Sequence, residues 1–232
     1  MMSSLPDPFH ALVIGASGTI GAAFVDQLRA LPHCGSVTAL QRHGTPRIDF
    51  ADEDSIARAA DELAAGPRFH LIVNAAGLLH SEVFMPEKRL ADLSYAQMLA
   101  TFQANTFGPA LVLRHFVPLL DRERGIMAML SAKVGSIGDN RLGGWYSYRA
   151  SKAALNMLVK TAAIEVARTQ QNSVLVALHP GTVNSRLSRP FRGETIGRAA
   201  AVAAADMLRV LDTLLPADSG TFRSYDGATL PW

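Results

Sequence analysis

The sequence predicts an α/β protein in which one doubly wound parallel sheet is covered by helices on both faces. Apolar segments of strand length alternate along the chain with segments whose apolar residues recur at helical spacing. The strand segments are apolar throughout, which is typical of parallel strands buried on both sides. No internal repeat or linker-like stretch interrupts the 232 residues, so we expect residues 1–232 to form a single domain.

Turn residues set the boundaries of the predicted elements. The first helical segment ends at Pro32, and the second ends before Gly66 and Pro67. Strands are predicted at residues 11–14, 37–40, 47–50, 69–73, 126–130, 174–178 and 221–223. Helices are predicted at residues 20–31, 54–64, 146–169 and 198–215, and at 93–120 with a bend near Gly108 and Pro109.

Two segments lack this periodicity. Residues 1–9 are expected to form a flexible tail. Residues 184–197 contain arginines and a proline, and we expect them to form a mobile loop. In doubly wound folds such loops lie over the carboxyl ends of the strands, where ligands bind, so residues 184–197 are predicted to cover the substrate.

The composition excludes several functional classes. A hydrophobic fraction of 49% and a net charge of +2 argue against disorder. The scattered arginines argue against a nucleic-acid or membrane partner. The seven histidines show no zinc-motif spacing, so no metal site is predicted. A single cysteine, Cys34, and the lack of an apolar leader or membrane-length run predict a cytoplasmic protein.

A glycine-rich segment joins the first predicted strand to the first predicted helix. Its spacing is G-x-x-G-x-x-G, beginning at residue 15. Glycine allows a tight turn and close approach of the backbone to a pyrophosphate, and a helix N-terminus offers unpaired N–H groups to the anion. The segment therefore predicts a dinucleotide-binding (Rossmann) fold, with cofactor contacts from Gly15, Ser17, Gly18, Thr19, Ile20 and Gly21.

The residues after the second predicted strand favour NADP(H) over NAD(H). An acidic side chain at this position binds the ribose 2′-OH of NAD, whereas an arginine suits the 2′-phosphate of NADP. The sequence has Gln41, Arg42 and His43 here and no acid. Arg42 is therefore predicted to bind the phosphate; NAD(H) binding, with Arg42 as an ordinary surface residue, is the alternative.

Tyr148 and Lys152 lie four residues apart in a predicted helix, so their side chains share one face. Acid–base work by a tyrosine near pH 7 requires a pKa shift equivalent to ~4 kcal/mol. An ammonium about 4 Å away, at an effective dielectric constant of about 20, supplies an attraction of that size. We therefore expect Lys152 to lower the pKa of Tyr148, whose phenol would exchange a proton with a carbonyl oxygen.

Five motifs, in this order, resemble the short-chain dehydrogenase/reductase family over nearly the whole chain. They are GASGTIG at 15–21, NAAG at 74–77, NTFGP at 105–109, YRASKAALN at 148–156 and HPGTV at 179–183. The stretch 131–152 and the ending Pro231-Trp232 are similar to the C-factor-like, carbonyl-reductase-like branch. The family's common glycine spacing is G-x-x-x-G-x-G, and here Thr19 stands in place of its second glycine.

The resemblance implies a role for each matched residue. Tyr148 would be the acid/base, Lys152 would orient it and bind the nicotinamide ribose, and Asn105 would hold a water in a proton relay. Asp49 would lie near the adenine. The other cofactor contacts implied by the family are Asn74, Ala75, Ala76, Gly77, Pro180, Gly181 and Val183.

The family's substrate-binding serine aligns with Ala132 in this sequence. The hydroxyl that hydrogen-bonds the substrate oxygen must then come from elsewhere. Ser131 could supply it if the strand end is shifted by one residue, and Ser136 could supply it if the loop folds back. The third alternative is that neither serine takes this role.

Together these observations predict an NADP(H)-dependent oxidoreductase that transfers a hydride between the nicotinamide and a carbonyl or secondary alcohol. A non-catalytic or signalling protein that retains dinucleotide binding is the alternative. The family resemblance implies a homodimer or homotetramer formed through the helices predicted at 93–120 and 146–169. Apolar residues near the predicted pocket loops favour a small, hydrophobic substrate, and packing against a neighbouring subunit is the alternative role for them: Leu78, Leu79, Leu142, Trp145, Leu187 and Phe191.

Overall fold

Six parallel strands form one sheet in the computed structural model, which describes residues 1–232. The strand order is β2-β1-β3-β4-β5-β6, and every neighbouring pair is parallel. The predicted doubly wound parallel sheet is thereby confirmed. The strands are β1 (Phe9–Ile14), β2 (Cys34–Leu40), β3 (Leu71–Asn74), β4 (Ile126–Leu130), β5 (Val174–His179) and β6 (Thr221–Ser224).

Seven α-helices accompany the strands. They are α1 (Thr19–Arg29), α2 (Glu53–Ala64), α3 (Tyr95–Phe102), α4 (Gly108–Phe116), α5 (Tyr146–Val166), α6 (Gly193–Ile196) and α7 (Ala200–Thr213). A π-helical segment, Gln103–Phe107, joins α3 to α4, so the long helix predicted at 93–120 is interrupted by a wider turn just before Gly108. No helix combines the length and the apolar character needed to cross a bilayer.

The two faces of the sheet are buried to a similar extent. An apolar cluster of 25 residues includes Phe24 of α1 and Met207 of α7, and a cluster of 23 residues on the other face includes Phe116 of α4 and Leu155 of α5. Burying each such side chain contributes about 1.5–3 kcal/mol. Covering both faces in this way explains why the strands are apolar throughout.

The order of the strands creates a crevice beside β1. The chain passes from β1 to β2 on one side and then returns to β3 on the other side. The connections leaving β1 and β3 therefore diverge at the carboxyl edge of the sheet, which is where doubly wound folds bind ligands. The glycine loop follows β1, and the residues Asn74 to Gly77 follow β3.

The predicted flexible tail at 1–9 is wrong. Met2 is fully buried and Leu5 is 6% exposed, and both belong to the apolar cluster that contains α7. The backbone N–H of Ser4 donates to the carboxylate of Asp212 at 2.8 Å, and Phe9 already begins β1. The apolar side chains among these mostly polar residues hold the segment against the core.

The strand predicted at 47–50 is also absent. Arg47 makes a single parallel bridge with Gln41, and the chain then turns into α2. Pro46 lacks the N–H group that a ladder needs, and the Asp49 carboxylate accepts the N–H of Ala51, which favours a turn over a strand. The sheet therefore ends at β2 on this side.

The segment 184–197 contains two short helical turns. Arg189–Phe191 forms a 3₁₀ turn and Gly193–Ile196 forms α6. A bridge between Val183 and Arg198 joins the two ends of the segment. This arrangement brings Phe191 toward the carboxyl edge of the sheet, while the mobility of the segment stays a prediction.

Candidate active site

The loop between β1 and α1 forms a cradle that requires glycine. Gly15 has φ +80°, and a Cβ there would lie 2.8 Å from the backbone nitrogen of Ala76, while a Cβ on Gly21 would overlap the carbonyl of Gly15. The first turn of α1 has no acidic residue and no side-chain cap, so its N–H groups remain available to an anion. The cradle, whose tip at Ser17, Gly18 and Thr19 is exposed, fits the pyrophosphate of a dinucleotide.

The residues after β3 form the opposite wall. Asn74 is 2% exposed, and its Oδ1 accepts the N–H of Ala76 at 3.2 Å. The N–H of Ala75 donates to the carbonyl of Ile14 at 2.8 Å, so this wall is fixed to the end of β1. Gly77 is exposed, and a Cβ on it would lie 3.6 Å from Nζ of Lys152. The wall therefore links the cradle to α5.

Two arginines lie near the glycine loop, after β2. The N–H of Gly15 donates to the carbonyl of Leu40, two residues before Arg42, which is 70% exposed. Arg42 Nε lies 4.0 Å from an oxygen of Asp49, and Arg47 Nη2 lies 2.8 Å from the other. The N–H of Ala51, with both arginines, lowers the pKa of Asp49 and keeps it ionised. The sequence analysis did not single out Arg47. Its position five residues after Arg42, across a short turn, could have indicated that the two arginines lie near each other.

Tyr148 and Lys152 are both buried on one face of α5. Lys152 Nζ lies 5.9 Å from the centroid of the Tyr148 ring and donates to the carbonyl of Leu130 at 2.9 Å. Burial raises the pKa of the Tyr148 phenol and lowers that of the Lys152 ammonium to about 8. The pKa of Tyr148 in the protein thus moves opposite to the lowering expected from Lys152, because burial is the influence that acts on the phenol.

Asn105 lies in the π-helical segment and is fully buried. Its Nδ2 donates to the carbonyl of Leu78 at 2.7 Å and to Oγ of Ser151 at 3.1 Å, and its Oδ1 accepts the N–H of Leu78 at 2.8 Å. A Cβ on Gly77 would touch this Oδ1 at 3.4 Å. Asn105 thus joins α5 to the segment after β3, beside Lys152.

Neither candidate serine is hydrogen-bonded to the Tyr148 phenol. Ser131 Oγ donates to Oδ1 of Asn156 at 2.6 Å, and Asn156 lies eight residues beyond Tyr148, about 12 Å along the helix axis. Ser136 Oγ donates to the carbonyl of Trp232 at 3.3 Å and accepts the N–H of Asp139 at 3.1 Å. Both hydroxyls already donate within the protein.

Aromatic side chains lie next to the phenol. The Trp145 ring centroid is 6.2 Å from that of Tyr148 and 4.8 Å from that of Phe191. His80, which sequence reasoning also missed, lies 5.9 Å from Phe191, and its Nε2 is 3.2 Å from the carbonyl of Arg186. The site near Tyr148 is therefore lined by rings from three separate segments.

The other apolar pocket candidates are not gathered in this way. Leu79 is 4% exposed and belongs to the core, whereas Leu142 is 92% exposed. Leu78 and Leu187 are partly buried, and Leu78 lies against Asn105. Of the six apolar residues predicted to line the pocket, Trp145 and Phe191 are the two whose rings pack together next to Tyr148.

The segment after β5 completes the carboxyl edge. Pro180 is partly buried, and Gly181 has φ +75°, where a Cβ would lie 2.8 Å from the Tyr225 ring. The Val183 side chain packs in the core, so only its backbone can face the crevice. His179 Nδ1 accepts the N–H of Lys133 at 3.2 Å, and burial lowers the pKa of His179 to about 4.

Comparisons with known proteins agree with this architecture. A family model described as enoyl-(acyl carrier protein) reductase matches residues 23–215. The chain is 31% identical over 188 residues to 1-hydroxy-2-glutathionyl-2-methyl-3-butene dehydrogenase of Rhodococcus sp. (strain AD45), a match that spans 81% of this chain and 79% of the relative. It is 38% identical over 145 residues to C-signal of Myxococcus xanthus, across 62% of this chain and 83% of that protein.

Solved structures show the same likeness. The NADPH-bound carbonyl reductase from chicken fatty liver superposes with a TM-score of 0.84 and 27% identity, over 98% of this chain and 100% of that one. The carbonyl reductase Sniffer of D. melanogaster, at 21% identity and a TM-score of 0.83, shares the fold. With the glycine cradle and the Tyr148 and Lys152 pair in place, the chain belongs to the short-chain dehydrogenase/reductase family of oxidoreductases.

Proposed function

We propose that this enzyme is an NADPH-dependent carbonyl reductase in which Tyr148 is the proton donor. The observation that carries the proposal is the convergence of Tyr148, Lys152, Asn105 and Gly77 at the carboxyl edge of the sheet, on the wall that faces the glycine cradle. A hydride carrier held in the cradle and a proton donor on α5 would then lie at the same crevice.

The protonated phenol can act as the proton donor in a reduction. NADPH, when bound, supplies the hydride for the carbonyl carbon. Burial keeps the Tyr148 phenol protonated, so it can give its proton to the carbonyl oxygen as the C=O double bond becomes a single bond. Lys152, with a pKa of about 8, is positively charged at neutral pH and can return a proton to Tyr148 after the reaction. Asn105 fixes the neighbouring backbone at Leu78. Alcohol oxidation would require loss of the phenolic proton.

The arginines near the glycine loop support NADPH over NADH. Arg42 is exposed and only loosely paired, which leaves its guanidinium available to a 2′-phosphate. Arg47 neutralises Asp49, so this carboxylate does not repel the phosphate as strongly. The similar carbonyl reductase from chicken fatty liver is NADPH-bound.

The rings beside Tyr148 support a small, hydrophobic carbonyl substrate. Trp145 and Phe191 present apolar faces, and His80 adds one polar edge. Because Ser131 and Ser136 donate elsewhere, we place neither in contact with the substrate oxygen, and the Tyr148 hydroxyl is the donor that remains.

A signalling protein that binds the dinucleotide without turnover is the second candidate. It is favoured by the C-signal relative and by Ala132, which stands where the family has its serine. The intact Tyr148, Lys152 and Asn105 favour the enzyme.

The experiment that separates the two follows NADPH consumption with a panel of apolar ketones and aldehydes. We expect turnover by the wild type, and loss of at least 100-fold in Tyr148→Phe with NADPH binding unchanged. Tyr95→Phe, which alters a tyrosine 81% exposed on α3, is the matched control and should keep full activity. NADPH binding without turnover of any carbonyl would favour the signalling protein.

We also propose a homodimer or homotetramer formed through α3, α4 and α5. Met157 and Ile164 of α5, with Leu99 and Phe107 before α4, expose 66%, 52%, 48% and 49% of their surface. Light scattering of the purified protein measures the subunit number. With Cys34 as its only cysteine, the protein suits a reducing compartment such as the cytoplasm.

A further inference from the structure

The loop between β3 and α3 buries a carboxylate against the start of the catalytic helix. Glu87 is 2% exposed. One of its oxygens accepts the hydroxyl of Ser147, and the other accepts the N–H of Ser147 at 3.2 Å. The backbone carbonyl of Glu87 accepts the N–H of Trp145. All three contacts reach residues about 60 positions later in the chain, at the first turn of α5.

None of the ion pairs in the protein includes Glu87. A buried carboxylate needs compensation, and here it comes from hydrogen bonds and from the positive end of a helix. The α5 helix is 21 residues long, so its N-terminus carries the partial positive charge of a complete helix dipole. Glu87 is therefore bound to α5 by the same interactions that a capping residue makes.

The start of α5 needs this help because its own sequence supplies none. Gly143, Gly144 and Trp145 all have positive φ, at 64°, 65° and 53°. Trp145 is the N-cap, and its indole has no oxygen that could accept the N–H groups of the first turn. The carboxylate of Glu87 takes the place of the missing cap.

Tyr148 follows Ser147 directly, in the same first turn. The turn that Glu87 holds therefore sets the direction of the phenol. It also sets the position of Trp145, whose ring lies between Tyr148 and Phe191. A displacement of about 1 Å in a reacting group can cost about 100-fold in rate.

We propose that Glu87 is a positioning residue for Tyr148, acting as a cap supplied from another segment to the first turn of the catalytic helix. Both carboxylate oxygens of Glu87 are bonded to Ser147 and neither is bonded to the phenol, so the proposal gives Glu87 no part in the proton transfer itself. The effect on turnover rests on the proposed carbonyl reduction, whereas the capping of α5 does not.

The test compares Glu87→Ala with Glu87→Gln, and with Glu82→Ala as the matched control from the exposed part of the same loop. Glutamine keeps an oxygen that can accept the N–H of Ser147, so it should rescue what alanine loses. For Glu87→Ala we expect kcat to fall about 10-fold to 100-fold, with KM for NADPH within about twofold of the wild type. Glu87→Gln should retain kcat within about threefold, and Glu82→Ala should equal the wild type.

A second readout does not depend on the reaction. Hydrogen exchange of the Ser147 backbone amide, which donates to the Glu87 carboxylate, should accelerate about tenfold or more in Glu87→Ala and stay unchanged in Glu82→Ala. Unchanged exchange in Glu87→Ala would overturn the capping role even if no substrate is found. Faster exchange with an unaltered kcat would overturn the positioning role, as would an equal loss in the alanine and glutamine variants. If the wild type reduces no carbonyl, only the proposed function fails. The exchange result still shows whether Glu87 caps α5.

Discussion

The ammonium of Lys152 is anchored to the carbonyl of Leu130, at 2.9 Å, and lies 5.9 Å from the centroid of the Tyr148 ring. The end of β4 thus fixes the lysine, and the phenol is not its hydrogen-bond partner in the protein alone. Burial acts on both groups in the direction of their neutral forms, which raises the pKa of Tyr148 and lowers that of Lys152 to about 8. In the protein the phenol is therefore protonated at neutral pH, and the ammonium is the group of the pair that titrates nearer neutrality.

The first prediction concerns the pH dependence of reduction. Lys152 is charged below a pH of about 8 and loses its proton as the pH rises through that value. If the ammonium is required, kcat for carbonyl reduction should be constant from pH 6 to 7.5 and fall toward pH 10. An arginine keeps its proton above pH 12, so Lys152→Arg should show no such fall in kcat or in NADPH affinity. A wild-type profile that is flat to pH 10 would contradict the role given to Lys152.

The second prediction concerns the choice of cofactor. A guanidinium bound to a phosphate contributes about 1.5–3 kcal/mol, so Arg42→Ala should weaken NADPH binding about 10-fold or more. NADH affinity should change by less than twofold, because NADH has no 2′-phosphate. Fluorescence titration of both cofactors measures the effect, and Arg29→Ala, an exposed arginine at the end of α1, is the control. Equal weakening of both cofactors would show that Arg42 does not read the phosphate.

The third prediction concerns the two serines. Each hydroxyl is buried and donates within the protein, so Ser131→Ala and Ser136→Ala should keep kcat within about threefold of the wild type. A donor to the developing oxyanion contributes about 100-fold to 1000-fold. A loss of that size in one variant, with its fold intact by circular dichroism, would identify that serine as the substrate donor.

The fourth prediction concerns stability in acid. Burial lowers the pKa of His179 from 6.5 to about 4. Between these pH values the imidazole is protonated in the unfolded chain but neutral in the folded protein. The free energy of unfolding should therefore fall by up to about 3 kcal/mol between these values. His179→Asn keeps an acceptor for the N–H of Lys133 and should flatten this dependence in urea titrations. His43→Asn, at an exposed site, should leave the slope unchanged.

Local patterns in the sequence predicted much of the site. The glycine spacing at 15–21 and the i, i+4 spacing of Tyr148 and Lys152 depend on neighbours within one or two turns, and both arrangements form as expected. The position of Arg42 just after a strand was also predictable from the sequence, because it depends on where that strand ends. The strand predicted at 47–50 is absent because Pro46 and the Asp49 side chain outweigh its apolar residues.

The sequence by itself determined the parallel sheet, the glycine cradle and the face of α5 that carries the phenol and the lysine, because each follows from periodicity or from contacts between close neighbours. Tertiary structure alone decided the burial of Met2, the pairing of Ser136 with the carbonyl of Trp232, the contact between Glu87 and Ser147, and the direction in which the pKa of Tyr148 moves. These features depend on which distant residues exclude water from a group and supply its hydrogen bonds, and that is set only when the whole chain has packed.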